Sequence, residues 1–284
     1  MIPAIDSHIH IWDRTRGETF IAEKQFPQLT GLSFLPDQVP DMLASTGATS
    51  AVLVHGPSSL SHTAHCLKMA EAEPLFLSVI GWIDIRGGNW RAELSEFSAS
   101  PLFRGIRLMP GLDPDPEGFL RSEGVRDAAR ALGETGQILE VLAGPALHAA
   151  VAAIARAAPQ TTVSLAHFGL PTGDSGKLPM WREAVSDVAA CSNVIVKASG
   201  LPLTGEEDHD SAMTRAHLST LLDLFGSERI CYSSNWPVAT ALAPPSHWRR
   251  TLDAALTALG TPDRDTRRIY QTNTEHHYTP RPSR

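Results

Sequence analysis

The chain has 284 residues, 42% of them hydrophobic and 19% charged, and a formal net charge of −7. This is enough apolar material for one large core, and an acidic balance without Lys/Arg runs excludes nucleic acid and anionic membrane surfaces as partners. No apolar stretch approaches the roughly 20 residues of a membrane span, and no signal-like segment precedes the first strand. The three cysteines, Cys66, Cys191 and Cys231, are odd in number and lack CxxC spacing, which predicts a reducing, cytoplasmic setting.

The first predicted strand, AIDSHIH (4–10), ends in His8 and His10, which a side-chain period of two puts on one face. Residues 11–34 show no clear periodicity and read as a long loop. The helix LPDQVPDMLASTG stops at Gly47 and leads into TSAVLVH (49–55), which ends in His55. SHTAHCLKMAEAEP stops at Pro74, before LFLSVIGWI (75–83) with Asp84 just beyond. FRGIRL (103–108) carries Arg104 and Arg107, and QILEVLA (137–143) carries Glu140. An Ala-rich, helix-favouring run lies between Pro145 and Pro159. TVSLAHF (162–168) brings His167, and NVIVKAS (193–199) brings Lys197. HDSAMTRAHLSTLLDLFG ends at Gly226, RICYSSN (229–235) ends in Asn235, and PSHWRRTLDAALTALG ends at Gly260.

Eight short strands alternating with helices require parallel crossovers, so the predicted fold is α/β, a single (β/α)8 TIM barrel filling residues 1–284 as one domain. A doubly wound sheet would usually announce itself with GxGxxG after an early strand, and that motif is absent. In a barrel, chemistry collects at the C-terminal ends of the strands, and the loop 11–34 would lie over that mouth.

The strand-end residues then form a candidate site. His8, His10 and His167 are candidate ligands for a divalent metal, zinc by ligand type, with hydrogen-bonded strand-end histidines and no metal as the alternative. Glu140, in an otherwise apolar strand, is the candidate base because burial raises a carboxyl pKa; a structural ion pair with a barrel cation is the competing reading. Arg107 and Lys197 suit a substrate carboxylate or a developing oxyanion. His55 and Trp236 are further substrate-contact candidates, and Asp84 and His55 are reserve bases behind Glu140, with structural roles as their competing reading. Arg104, on the opposite face from Arg107, reads as structural; His148, His276 and His277 read as outside the site.

"IDSHIHIWD", "FRGIRLMPG", "LAHFGLP", "VIVKASGL" and "CYSSNWPV", in this order and spacing, resemble the amidohydrolase superfamily. More narrowly, they resemble its lactonase-like branch, which includes fuconolactonase and pyrone-dicarboxylate lactonase. "GWIDI" and "IYQTNTEHHY" extend the likeness over nearly the whole chain. The resemblance implies a TIM-barrel, metal-dependent hydrolase of a lactone or related cyclic ester of a small carboxylated or polyhydroxylated molecule. Decarboxylation of an aromatic or unsaturated acid is its nearest enzymatic alternative. The expected partner is a small molecule; the oligomeric state stays open. Carried over by position, His8 and His10 match the family's HxH and His167 its later histidine. The family's SDWP reads Ser234-Asn235-Trp236-Pro237 here, so the aspartate that serves as ligand and base is replaced by an amide, which can neither take up a proton nor neutralise a metal's charge. That leaves a variant chemistry with another base, an engineered inactive form, or a silent small-molecule binder.

Overall fold

A computed structural model describes residues 2–20, 23 and 25–280. Eight parallel strands run in the order β1 Ala4–Ile9, β2 Ala48–Val54, β3 Phe76–Gly81, β4 Phe103–Leu108, β5 Ile138–Val141, β6 Thr162–Leu165, β7 Val194–Ala198 and β8 Ile230–Tyr232. Helices fill the crossovers: α1 Val39–Thr46, α2 Leu60–Ala72, α3 Trp90–Ser98, α4 Pro116–Arg121, α5 Glu123–Glu134, α6 His148–Ala157, α7 Leu178–Ala189, α8 Glu207–Phe225 and α9 Pro245–Ala258. At the C-terminus α10 Asp263–Arg267 passes through a π-helical turn into α11 Asn273–Tyr278. The expected (β/α)8 barrel is therefore present. Among the described residues, no helix is long and apolar enough to cross a membrane, and all three cysteines are free and buried.

Six helices went unread in the sequence: α3, α4, α5, α7, α10 and α11. α4, α10 and α11 are five or six residues long, too short to show a period, α7 ends on Ala190 with no glycine or proline after it, and α5 carries Gly124 and Gly133 in its first and last turns. The apolar faces of the helices pack on the outer faces of the strands in one continuous cluster that includes Leu53, Phe76, Leu139 and Val163. A smaller inner core, with Val52, Val54, Ile80, Ile138 and Ile195, fills the barrel, and Tyr278 of α11 joins it. The Tyr278 hydroxyl reaches Ser164 Oγ at 3.1 Å.

The strands stop earlier than their apolar runs suggest, and this positions the site. β1 leaves the ladder after Ile9, β6 after Leu165 and β8 after Tyr232, so His10, His167 and Asn235 lie just past the strand ends. There β1 and the segment after β8 close the barrel: His10 N–H donates to Trp236 O at 2.7 Å and Asn235 N–H to His8 O at 3.1 Å. Asp6, fully buried in β1, joins the same seam by accepting from the N–H groups of His8 (3.1 Å) and Ser234 (2.9 Å). Burial pushes its carboxyl up to about 6.

Asp6→Ala should orphan both donors and cost about 2–4 kcal/mol in urea unfolding, whereas Asp6→Asn, which keeps an acceptor oxygen, should lose markedly less.

Candidate active site

A cavity of about 450 Å³ opens at the C-terminal end of the barrel, and its polar floor is made by His10, Arg107, His167 and Asn235. Their backbones are held in unusual shapes. His167, Phe168, Leu170 and Asn235 are the non-glycine residues with left-handed φ among the described residues, at 52–57°. Each such residue costs on the order of 1 kcal/mol, so the strain is concentrated at the cavity. Gly200, at φ +70°, lets β7's loop pass close by: a Cβ there would fall 2.7 Å from that of His167.

The imidazoles are oriented by their second nitrogens. His10 Nδ1–H donates to Val54 O at 2.8 Å, leaving its Nε2 with a lone pair. His167 Nδ1 meets Ser199 Oγ at 2.8 Å, which in turn accepts from Ser233 Oγ at 2.7 Å, so Nε2 is the nitrogen left to the cavity. His8 Nε2 faces His10 Nε2 at 3.1 Å. The His8 proton has two places: on Nε2, where it bridges to His10 while Lys197 Nζ donates to Nδ1 at 3.3 Å, or on Nδ1, facing Glu140 Oε1 at 3.2 Å, which leaves the Nε2 atoms of both rings free to accept. Burial first, and the Arg107 and Lys197 charges second, hold His167 down to about 3; burial and the surrounding cations likewise keep His8 and His10 well below the usual imidazole range. All three are neutral at physiological pH.

Glu140 and Lys197 are an ion pair with no exposure, beneath His8. Lys197 Nζ also donates to Ser7 O at 2.6 Å. Neither residue lines the cavity, and so the sequence candidates divide in two. His10, Arg107, His167 and Asn235 face the cavity, whereas His8, Glu140, Lys197 and His55 stand behind them. His55 holds Arg107 rather than reaching the cavity: Arg107 Nη2 donates to His55 O at 2.6 Å and Nε to His55 Nε2 at 3.3 Å. Arg107 Nη1 lies 3.3 Å from His8 Nε2. Burial lowers the guanidinium to about 10, still charged at neutral pH. Trp236 packs edge-on against Phe34 at 5.6 Å, outside the cavity lining, because the turn after Asn235 directs it into the loop core. Arg104 donates to Gly136 O and His277 O, both at 3.0 Å, a structural role. His148 Nε2 contacts Gly169 O at 3.1 Å and braces the loop after β6.

The long loop after β1 does form one wall, although its Ile21, Ala22 and Lys24 lie outside the described residues. Phe20 stacks on Trp12 at 4.7 Å, and both Phe20 and Phe26 line the cavity. Glu18 pins this loop to α2 by a 3.1 Å contact with His62 Nδ1. The sequence reading missed Phe20, Phe26, Met109 and Leu142 as lining residues, and Asp6 as a seam residue. Parity carried a signal for two of them: Asp6 lies two before His8, and Leu142 two after Glu140.

The His8 and His10 Nε2 atoms, 3.1 Å apart, fit two ligands of one zinc at 2.0–2.1 Å, provided that His8 carries its proton toward Glu140. No group of three or more His, Cys, Asp or Glu among the described residues encloses such an ion as it stands. The fourth polar residue of the floor is the Asn235 amide, which brings no negative charge, and Arg107 Nη1 and Lys197 Nζ each lie 3.3 Å from His8.

The amidohydrolase family model matches residues 5–278. A curated L-fucono-1,5-lactonase of Burkholderia ambifaria is 26% identical over 235 residues, covering 83% of this chain and 80% of that protein. An amidohydrolase of Burkholderia multivorans, solved with bound zinc, superimposes with a TM-score of 0.85 at 21% identity over 97% of this chain and 98% of its own. A putative 2-pyrone-4,6-dicarboxylic acid hydrolase of Pseudomonas putida superimposes at 0.73, with 21% identity and 98% of both chains covered.

Glu140→Gln should leave the buried Lys197 charge unpaired and cost about 3–5 kcal/mol in chemical denaturation, while replacing both residues by Met should recover most of the loss.

Proposed function

Because this chain belongs to the amidohydrolase family, we propose that it is a hydrolase that opens a lactone or related cyclic ester by adding water to the ester carbonyl at the barrel mouth. The observation that carries this reading is Arg107: a buried guanidinium, clamped by His55, facing a cavity otherwise floored by neutral imidazoles and an amide. That combination suits a substrate whose charge appears during the reaction. With the His8 proton on Nδ1 toward Glu140, three of the five Arg107 N–H donors are engaged by His55 and His8, which leaves two for a carbonyl oxygen that becomes an oxyanion.

Water is oriented by the Asn235 amide and by the Nε2 atoms of His10 and His167. As its oxygen bonds to the carbonyl carbon, one of its protons passes to His10 Nε2, whose lone pair is free while His8 holds its own proton on Nδ1 toward Glu140. His8 and Glu140 behind it stabilise the positive charge, so Glu140 acts as a positioning residue and not as the group that touches water. The ring C–O bond then breaks, His10 returns its proton to the departing oxygen, and the new carboxylic acid releases its remaining proton to solvent, which leaves a carboxylate beside Arg107.

A zinc ion would be held by His8, His10 and His167, where it would supply Lewis-acid polarisation of the carbonyl. Without a carboxylate at position 235 such an ion is held weakly, and the steps above are carried by the chain's own side chains.

Lactone hydrolysis followed with a pH indicator tests the reading; buffer-level rates with every lactone would favour a silent binder. Arg107→Met should lower kcat by about 10²–10³-fold, the usual cost of removing an oxyanion donor. Burial and the neighbouring cations hold His10 well below the usual imidazole range and His167 down to about 3, so both stay neutral, and kcat/KM should stay flat from about pH 7 to pH 8, above the Asp6 carboxyl at about 6. Protein purified without added ions should carry less than about a tenth of an equivalent of zinc, and Asn235→Asp should tighten zinc binding at least about tenfold by calorimetry.

A further inference from the structure

The cavity floor and its walls have opposite character. Beyond the four floor residues, the side chains that line it are apolar: Phe20 and Phe26 from the loop after β1, Met109 and Leu112 after β4, Leu142 after β5, and Leu170 and Val238 on the far side. The exception among the described residues is Gln25, exposed at the rim. Leu112 and Leu170 are 59% and 37% exposed, and both turn toward the same opening. Single exposed leucines need no explanation, but two on one mouth, continuous with a phenylalanine-lined wall, make an apolar collar.

Such walls discriminate by chemistry. A polyhydroxylated lactone entering this cavity would surrender water from each ring hydroxyl, and the described side chains of the walls return almost no hydrogen bonds. Sites that select hydroxylated substrates do so with dedicated polar partners, and here the polar groups are gathered at the floor, where the ester itself must lie. An alkyl or aryl substituent loses nothing on entry and gains contact with the collar.

Resting on the hydrolase reading above, we propose that the substrate is a lactone with an apolar body, alkyl- or aryl-substituted, rather than a sugar-acid lactone of the kind named for the curated relative. Arg107 takes the ester carbonyl, and Phe20 and Phe26 lie against the substituent.

Three six-membered lactones separate the possibilities: δ-valerolactone, its propyl-substituted homologue δ-octalactone, and D-glucono-1,5-lactone. Burial contributes about fourfold per methylene, so δ-octalactone should exceed δ-valerolactone in kcat/KM by up to roughly fiftyfold, chiefly through KM. Gluconolactone should fall below both. Gluconolactone turnover equal to or better than that of δ-octalactone overturns the inference and leaves the hydrolase reading intact. Calorimetry with the matching non-hydrolysable lactams reads the same preference without turnover. Tighter binding of the propyl lactam in the absence of any lactone hydrolysis supports the apolar preference and overturns the hydrolase reading; tighter binding of gluconolactam overturns the preference.

Discussion

The Lys197–Glu140 ion pair, sealed inside the barrel under His8, is the constraint on which the site depends. Two opposite charges without solvent need each other, and they also need the groups around them: Ser7 O takes a Lys197 proton, and His8 Nδ1 lies within reach of both partners. β1, β5 and β7 are thereby tied at one level. His8 is fixed by that tie, His10 is fixed against His8, and Arg107 is fixed by His55 and His8 together. The cavity floor is the upper surface of a polar network whose lower part never meets solvent.

This arrangement separates two tasks that a strand-end inventory merges. Residues on the cavity can touch a substrate; residues one layer down set tautomer and charge. Glu140 belongs to the second group because β5 ends at Val141, one residue beyond it, while His10, His167 and Asn235 lie past the ends of their strands and turn outward. The left-handed residues after β6 and β8 are the cost of that turn. They are held in place by His148 under Gly169, by Ala239 N–H on Asn235 O, and by the close approach that Gly200 permits.

Much of the protein was legible in the chain itself. Eight β-rich runs separated by helical stretches dictate parallel crossovers and so the barrel, because a parallel strand cannot return without a helix-sized connection. The pairing of His8 with His10 followed from a period of two, and the structural role of Arg104 from its opposite parity to Arg107. That position 235 is an amide was visible as a single letter, and an amide neither takes up a proton nor neutralises charge.

What the chain order could not contain is depth. Periodicity assigns a side chain to the inside of a barrel but not to a layer within it, so Glu140, Lys197 and His55 read as equals of Arg107 until tertiary packing put them behind it. Nor could it say which loop side chains meet across the mouth. Phe20, Leu142, Leu170 and Val238 are far apart in sequence, and they form one apolar wall because the closed barrel brings the ends of its strands onto one rim. The sequence determined the fold and the kinds of groups available to the site; only the closed barrel decided which of them reach the substrate, because distance to the cavity is set by where each strand stops.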